Sequence, residues 1–165
     1  MPASPSDLFS YLDNLAIDHK TVDHAATFTV EEGRHLKAAM PGGHTKNLFM
    51  KDKDGTIVLI SAWADSQLKL NQLHKLIGTR RLSFGSADLM TECLGVEPGS
   101  VTAFALMNDK DHRVKFIADA ALMGFNTLNF HPLVNTATTA VSREGFRRFV
   151  EATGHALTEV DFSDL

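Results

Sequence analysis

A single cysteine, Cys93, stands in 165 residues. An intramolecular disulfide is therefore excluded, and the composition fits a reducing compartment. No apolar run approaches the roughly 20 residues of a bilayer-spanning helix. The opening Met1-Pro2-Ala3-Ser4-Pro5-Ser6-Asp7 lacks the basic and apolar regions of a secretory signal, so the expectation is a cytoplasmic protein away from membranes. Motifs with strong chemical meaning are missing as well. The eight histidines are dispersed, with no His-Glu-x-x-His or Cys-x-x-Cys spacing to present metal ligands together. There is no Gly-x-Ser-x-Gly elbow, and Gly42-Gly43-His44-Thr45-Lys46 lacks the spacing of a Walker phosphate loop. Cys93 shares a helical face with Leu89 and Met90, which reads as core and not as a reactive thiol. Covalent catalysis and nucleotide hydrolysis both lose ground.

What remains is an ordinary globular composition, 44% hydrophobic and 22% charged, of a length that suits one domain over residues 1–165. The net charge of −4 does not advertise a nucleic-acid binder. Its distribution is uneven, however. Residues 34–81 hold nine basic side chains against three acidic ones, a local excess that suits an anionic partner if those side chains converge in space. Lys51, Lys53, Arg80 and Arg81 are the candidates for such contacts.

Periodicity and punctuation predict helices near 6–17, after Thr29, over 68–77, after Ser86 and after Ser142. Thr29-Val30-Glu31-Glu32 has the capping-box form, and Gly78 and Gly154 mark helix ends. Strands are expected at 47–51 and 56–61, joined by a turn at Asp54-Gly55, and at 81–84, 101–106, 115–118, 127–130, 139–141 and 155–161. The continuously apolar Ile57-Val58-Leu59-Ile60 is expected to be buried on both faces. The fold class is α/β in the α+β sense, a largely antiparallel, curved mixed sheet with helices around it.

Three weak signals concern chemistry. Lys46 and Asn47 follow a glycine pair at the entry to a strand, where a lysine can meet a phosphate or simply face solvent. His131 precedes Pro132, which biases it to an extended conformation at a strand end, either beside a substrate or packed against backbone. Gly99-Ser100-Val101-Thr102 offers backbone amides to a carbonyl oxygen, or is only a turn.

Together and in this order, His44-Thr45-Lys46-Asn47-Leu48-Phe49 with Lys51-Asp52, then Gly99 to Thr102, then Asn129-Phe130-His131-Pro132-Leu133 with Asn135, resemble the YbaK/ProX-type aminoacyl-tRNA editing domains. Within that group they are most similar to the freestanding prolyl-tRNA editing proteins that deacylate Ala-tRNA(Pro). The resemblance implies a trans-editing hydrolase without metal or cofactor, acting on the acceptor end of mischarged tRNA(Pro). Prolyl-tRNA synthetase or elongation factor are implied as further partners, and DNA is not. By the same resemblance Lys46, Asn47 and His131 carry the activity. Phe49 and Leu133 line the amino-acid pocket with His131, and Gly99, Ser100, Val101 and Thr102 serve the ester carbonyl. Ala103 stands where relatives commonly have proline, which removes some stiffness from that loop. An aminoacyl ester is already activated, so a positioned water and carbonyl polarisation suffice. Deacylation of Cys-tRNA(Pro) or another misacylated tRNA, or a non-catalytic binding module, are the competing expectations.

Overall fold

The computed structural model describes residues 2–27 and 29–164. Five α-helices and eight strands lie among the described residues. The helices are α1 (Pro5–Asn14), α2 (Val30–Ala39), α3 (Leu73–Ile77), α4 (Ala87–Leu94) and α5 (Arg143–Ala152). The strands are β1 (His19–Asp23), β2 (Gly43–Lys51), β3 (Ile57–Trp63), β4 (Ser83–Phe84), β5 (Val114–Asp119), β6 (Thr127–Phe130), β7 (Ala137–Ser142) and β8 (Thr158–Val160). They form one sheet in the order β1-β7-β6-β2-β3-β5-β8, with β4 added to β2. Four of the seven pairings are antiparallel and three parallel, which makes this the mixed α/β domain expected.

Local chemistry explains most boundaries. Ser4 and Thr29 each accept a hydrogen bond from the third helical amide while that residue's carboxylate, Asp7 or Glu32, reaches back. Ser86 and Ser142 cap α4 and α5 by the serine hydroxyl alone, which accepts from the amides of Leu89 and Gly145. Gly78 and Gly95 end α3 and α4 in the left-handed region. The β2–β3 turn is closed by Asp52, whose carboxylate accepts from the amides of Asp54, Thr56 and Arg80. Burial pushes that carboxyl up, but these amides outweigh it and hold its pKa below the usual value.

One expected strand is corrected. Residues 101–106 do not pair; Ala103–Asn108 form a 3₁₀ segment started by the Thr102 hydroxyl, which accepts from the Phe104 amide. The run is apolar because it is buried on all sides, and such a run carries no period to separate strand from helix. Several boundaries shift, the largest being that β2 begins at Gly43 instead of residue 47 and that the helix expected over 68–77 shortens to Leu73–Ile77 behind one 3₁₀ turn; the helix expected over 6–17 ends at Asn14, and the strand expected over 155–161 is Thr158–Val160.

The sheet is buried on both faces. Ile57 and Leu59 of β3 point into a large cluster with α1, α4 and α5, whereas Val58 and Ile60 point into a smaller one with Leu73, Ile77 and Phe162. Cys93 is buried in the large cluster, and burial raises its thiol pKa. Four phenylalanines organise that side. Phe104 meets Phe130 and Phe149 with ring centroids 5.2 Å apart, and Phe130 stacks on Phe146 at 4.6 Å. Phe130 is thereby pinned one residue before His131.

Candidate active site

Strand β2 changes partners along its length. At its start Gly43 and His44 pair in parallel with Leu128 and Asn129 of β6. At its end Met50 and Lys51 pair with Phe84 and Ser83 of β4. Between them, residues 45–49 have only β3 as a strand partner among the described residues. Gly42 makes the entry possible: its φ is +112°, and a Cβ there would stand 2.4 Å from the Thr127 carbonyl oxygen. Lys46 and Asn47 therefore lie where the sheet is open along one edge of β2.

A cavity of about 180 Å³ opens beside this entry. It is lined by His24, by Gly33, Leu36 and Lys37 of α2, by His44, Thr45 and Ala64, by Asn129, Phe130 and His131, and by Thr138. This is smaller than the roughly 300–1,000 Å³ of pockets for drug-sized ligands. The histidine tautomers follow from their partners, because a carbonyl can only accept. His131 Nδ1 donates to the Ala137 carbonyl at 3.1 Å, so Nε2 of the neutral ring is an acceptor. His24 Nδ1 donates to the Ala25 carbonyl at 2.8 Å, and its Nε2 accepts from the Thr138 hydroxyl at 2.8 Å. The two rings lie 6.3 Å apart. His44 Nε2 donates to the Met40 carbonyl, and burial first of all holds its pKa below the ordinary histidine value.

Lys46 points the other way. Its ammonium donates to the Ser66 carbonyl and lines a shallower hollow of about 520 Å³ with Leu48 and the 64–68 loop. Ala64 borders both spaces, so the lysine and the small cavity stand on either side of it. The loop is fixed by Asp119, which is 2% exposed and accepts from the Trp63 amide, the Ser66 hydroxyl and the Ala121 amide at 3.0, 2.6 and 3.0 Å. Lysine carries three donors, and one is spent on Ser66.

Asn47 reaches the cavity indirectly. Its Oδ1 accepts from Ser61 on β3, its Nδ2 donates to Thr45 Oγ1 at 3.4 Å, and Thr45 donates to the Asn129 carbonyl at 2.9 Å. Of the three expected pocket walls, His131 alone lines the cavity. Phe49, 2% exposed, and Leu133, 7% exposed, belong to the main core instead. Phe49 is turned inward beneath Gly85, where a Cβ would stand 2.4 Å from its ring. None of Gly99, Ser100, Val101 and Thr102 lines the cavity either. A Cβ on Gly99 would stand 3.2 Å from Asn135 Nδ2, so the loop abuts the segment after His131. The Ser100 amide is bonded to the Glu97 carbonyl, and Thr102 is spent on its cap. Lys51, Lys53, Arg80 and Arg81 lie around the β2–β3 turn and β4, with Arg80 3.3 Å from Asp54. That turn is about 25 Å along β2 from His44 at strand rise.

Sequence reasoning missed His24, Thr45 as a linker, Thr138 and Asp119. Thr45 and Thr138 stand within the segments that carry the resemblance but were given no role there, and only the three-dimensional pairing of β1, β2, β6 and β7 brings them together with His24.

The chain is a mixed α/β domain in which a small cavity, lined by both apolar and polar side chains, stands next to a lysine. Residues 24–149 match the aminoacyl-tRNA editing domain, and the chain belongs to that family, an aminoacyl-tRNA deacylase by class. It is 39% identical over 155 residues to the mouse prolyl-tRNA synthetase associated domain-containing protein 1, with 91% of each chain covered. It is 30% identical over 151 residues to the prolyl-tRNA editing protein ProX of Acetoanaerobium sticklandii, covering 91% of this chain and 92% of the relative. A solved structure described as a candidate trans-editing enzyme for prolyl-tRNA synthetase superposes with a TM-score of 0.68 at 16% identity, covering 96% of this chain and 98% of that one.

Proposed function

We propose that this protein removes alanine from mischarged tRNA(Pro). The observation that carries the reading is the cavity of about 180 Å³, closed by His131 and separated by one alanine from the Lys46 hollow. A small amino acid such as alanine fits the first space, and the phosphate and ribose of the terminal nucleotide suit the second. The relatives named for prolyl-tRNA editing point to the same carrier.

In this reading Lys46 anchors the 3′ end as a point charge. Asn47 holds Thr45 and the β2 edge in register. His131 closes the amino-acid pocket and offers Nε2 to a water. That water adds to the ester carbonyl, the bond to the ribose oxygen breaks, alanine leaves as its acid, and the ribose oxygen takes the proton. The Gly99–Thr102 loop stands behind the His131 segment as a support, and Lys51, Lys53, Arg80 and Arg81 offer a basic approach for the acceptor stem. A synthetase pocket built for proline rejects alanine by only about 1–3 kcal/mol, and a second site too small for proline restores accuracy. Such an enzyme works in the cytoplasm on tRNA leaving prolyl-tRNA synthetase or bound for elongation factor.

Single-turnover deacylation of Ala-, Pro- and Cys-tRNA(Pro) and Ala-tRNA(Ala) tests it, with wild type and Lys46→Ala. Loss of alanine from tRNA(Pro), reduced at least about a hundredfold in the variant, is expected. Inactivity of the wild type on all four substrates sinks the proposal, and preference for Cys-tRNA(Pro) reassigns the substrate.

A further inference from the structure

Three hollows meet at one residue. Ala64, which follows β3, lines the amino-acid cavity, the Lys46 hollow and a third space of about 170 Å³. The third space continues from the first past His44 and Lys37, which line both. Two aromatic rings wall it, Trp63 and Phe125, with centroids 5.6 Å apart and planes inclined at 49°. Both side chains are half-buried, so part of each ring stays accessible. Phe125 is held from beneath: a Cβ on Gly43 would stand 2.7 Å from its ring. Gly42, without a side chain, lines the space beside it. An aromatic wedge thus adjoins the amino-acid cavity, and neither the acyl group nor the lysine makes use of it.

An aminoacylated terminal nucleotide carries three groups on one ribose: the acyl ester, the 5′-phosphate and the base. The function proposed above gives the first two a place on either side of Ala64 and leaves the base without one. Resting on that deacylase reading, we infer that the third space is the site of the terminal base, an adenine stacked on Trp63 with Phe125 at its edge. The size agrees. About 170 Å³ holds about five or six waters, and a flat purine takes about four water volumes. An aromatic ring is a stacking surface for any base, and two lining charges favour adenine. Asp65 can accept from its amino group and Lys37 can donate to a ring nitrogen. The strands explain how one ribose reaches all three spaces. Trp63 pairs with Thr45 across β2 and β3, so the two share a face of the sheet, and Lys46 takes the opposite face. Ala64, just past the end of β3, is where the two faces join.

The test uses 3′-alanylamido-3′-deoxyadenosine 5′-phosphate, whose amide resists hydrolysis, beside the same compound with hydrogen in place of the base. Trp63 is the single tryptophan of the chain, so its fluorescence reports the base directly while calorimetry gives both affinities. In wild type the adenosine compound should quench the fluorescence and bind at least about tenfold more tightly than the base-free one. Trp63→Ala should bring that ratio within about threefold of unity, while Trp63→Phe, which keeps a ring face, should retain most of the preference. Phe125→Leu should lower the ratio at least about threefold. A purely structural role for Trp63 predicts that Trp63→Ala weakens both compounds alike and leaves the ratio unchanged, which overturns the inference. So does a wild-type ratio near unity, or failure of both compounds to bind, results that need no variant to fold. A preference untouched by Phe125→Leu puts the base on the other side of Trp63, beside Phe162, and overturns it as well. Hydrolysis of Ala-tRNA(Pro) is followed in parallel. Base preference without hydrolysis sinks the deacylase reading alone, and hydrolysis without base preference sinks this inference alone.

Discussion

Replacing His131 with alanine should turn a protected substrate into a substrate. Removing the imidazole frees roughly two water volumes, about 60 Å³. That enlarges a cavity of about 180 Å³ by around a third. Proline differs from alanine by two further carbons. At about 0.8 kcal/mol for each methylene, admitting both is worth about 1.6 kcal/mol, or about 15-fold in kcat/KM. Two costs accompany the gain. The Ala137 carbonyl loses its donor, which should lower stability by about 1–3 kcal/mol. Alanine also loses the wall its methyl packs against, so its own hydrolysis should slow. The assay is single-turnover kcat/KM for Pro- and Ala-tRNA(Pro), with a thermal melt of each protein. The expected result is Pro-tRNA(Pro) hydrolysis at least tenfold faster than wild type. Proline that stays fully protected in a folded His131→Ala variant refutes the reasoning, because the sieve then lies elsewhere on the cavity wall.

Other perturbations reach the site through its supports. Asp119→Asn keeps one acceptor but turns an N–H₂ toward a donor, and should cost about 1–3 kcal/mol, seen as a melting point lower by several degrees. It should lower kcat/KM in the wild type but add little on a Lys46→Ala background; full additivity would show that Asp119 does not act through the Ser66–Lys46 contact. Gly42→Ala combines φ of +112° with a Cβ 2.4 Å from the Thr127 carbonyl oxygen, and about 3 kcal/mol or more should be lost in urea unfolding. An unchanged midpoint would mean that the β2 entry rearranges freely. His44 adds a pH dependence. Its folded pKa lies below the ordinary value near 6.5, so the unfolded chain takes up the proton first as the pH falls. Its contribution is present above about pH 6.5 and is lost as the pH drops through that value toward the lowered folded one. The fall in stability between pH 7.5 and 5.5 should be shallower for His44→Gln than for wild type, and equal slopes would contradict this.

Much of the fold was legible because its signals are local. Thr29 with Glu32, Ser86, Ser142, Gly78 and Asp54-Gly55 each act within four residues, and each marks the boundary expected of it. The alternation of Ile57 to Ile60 between two cores likewise needs only the strand's period. Non-local features were not legible. Nothing near Gly43 says that its missing Cβ makes room for Phe125 and Leu122, so the glycine pair looked like a turn when its second member opens β2. The parallel pairings of β3 with β5 and β5 with β8 join segments far apart in sequence, and no hairpin announces them. At the site, Asn129 was legible only as the first residue of the segment around His131, and nothing in the sequence singled out Asp119. Their importance lies in bonds that cross the fold.

The position of Lys46 and Asn47 follows from that same non-local pairing. Their strand bonds β3 through alternate residues: the Ala64 amide meets the His44 carbonyl, which sets residues 44, 46, 48 and 50 toward β3. Residues 45, 47 and 49 then turn their backbone groups to the opposite edge, as the bond from the Gly85 amide to the Phe49 carbonyl confirms. There β6 has already ended its pairing and β4 has not begun, so the backbone of Asn47 faces the gap. An unpaired edge is ordinarily a liability in a sheet, but this one is too short to template another strand. Its value is chemical: it leaves directed N–H and C=O groups, a lysine on one face and an asparagine on the other within two residues. A regular ladder at this point would have spent those backbone groups on a neighbour. The placement of Lys46 and Asn47 is thus tied to the break in pairing, and the glycine at 42 that lets β2 enter against β6 is part of the same arrangement.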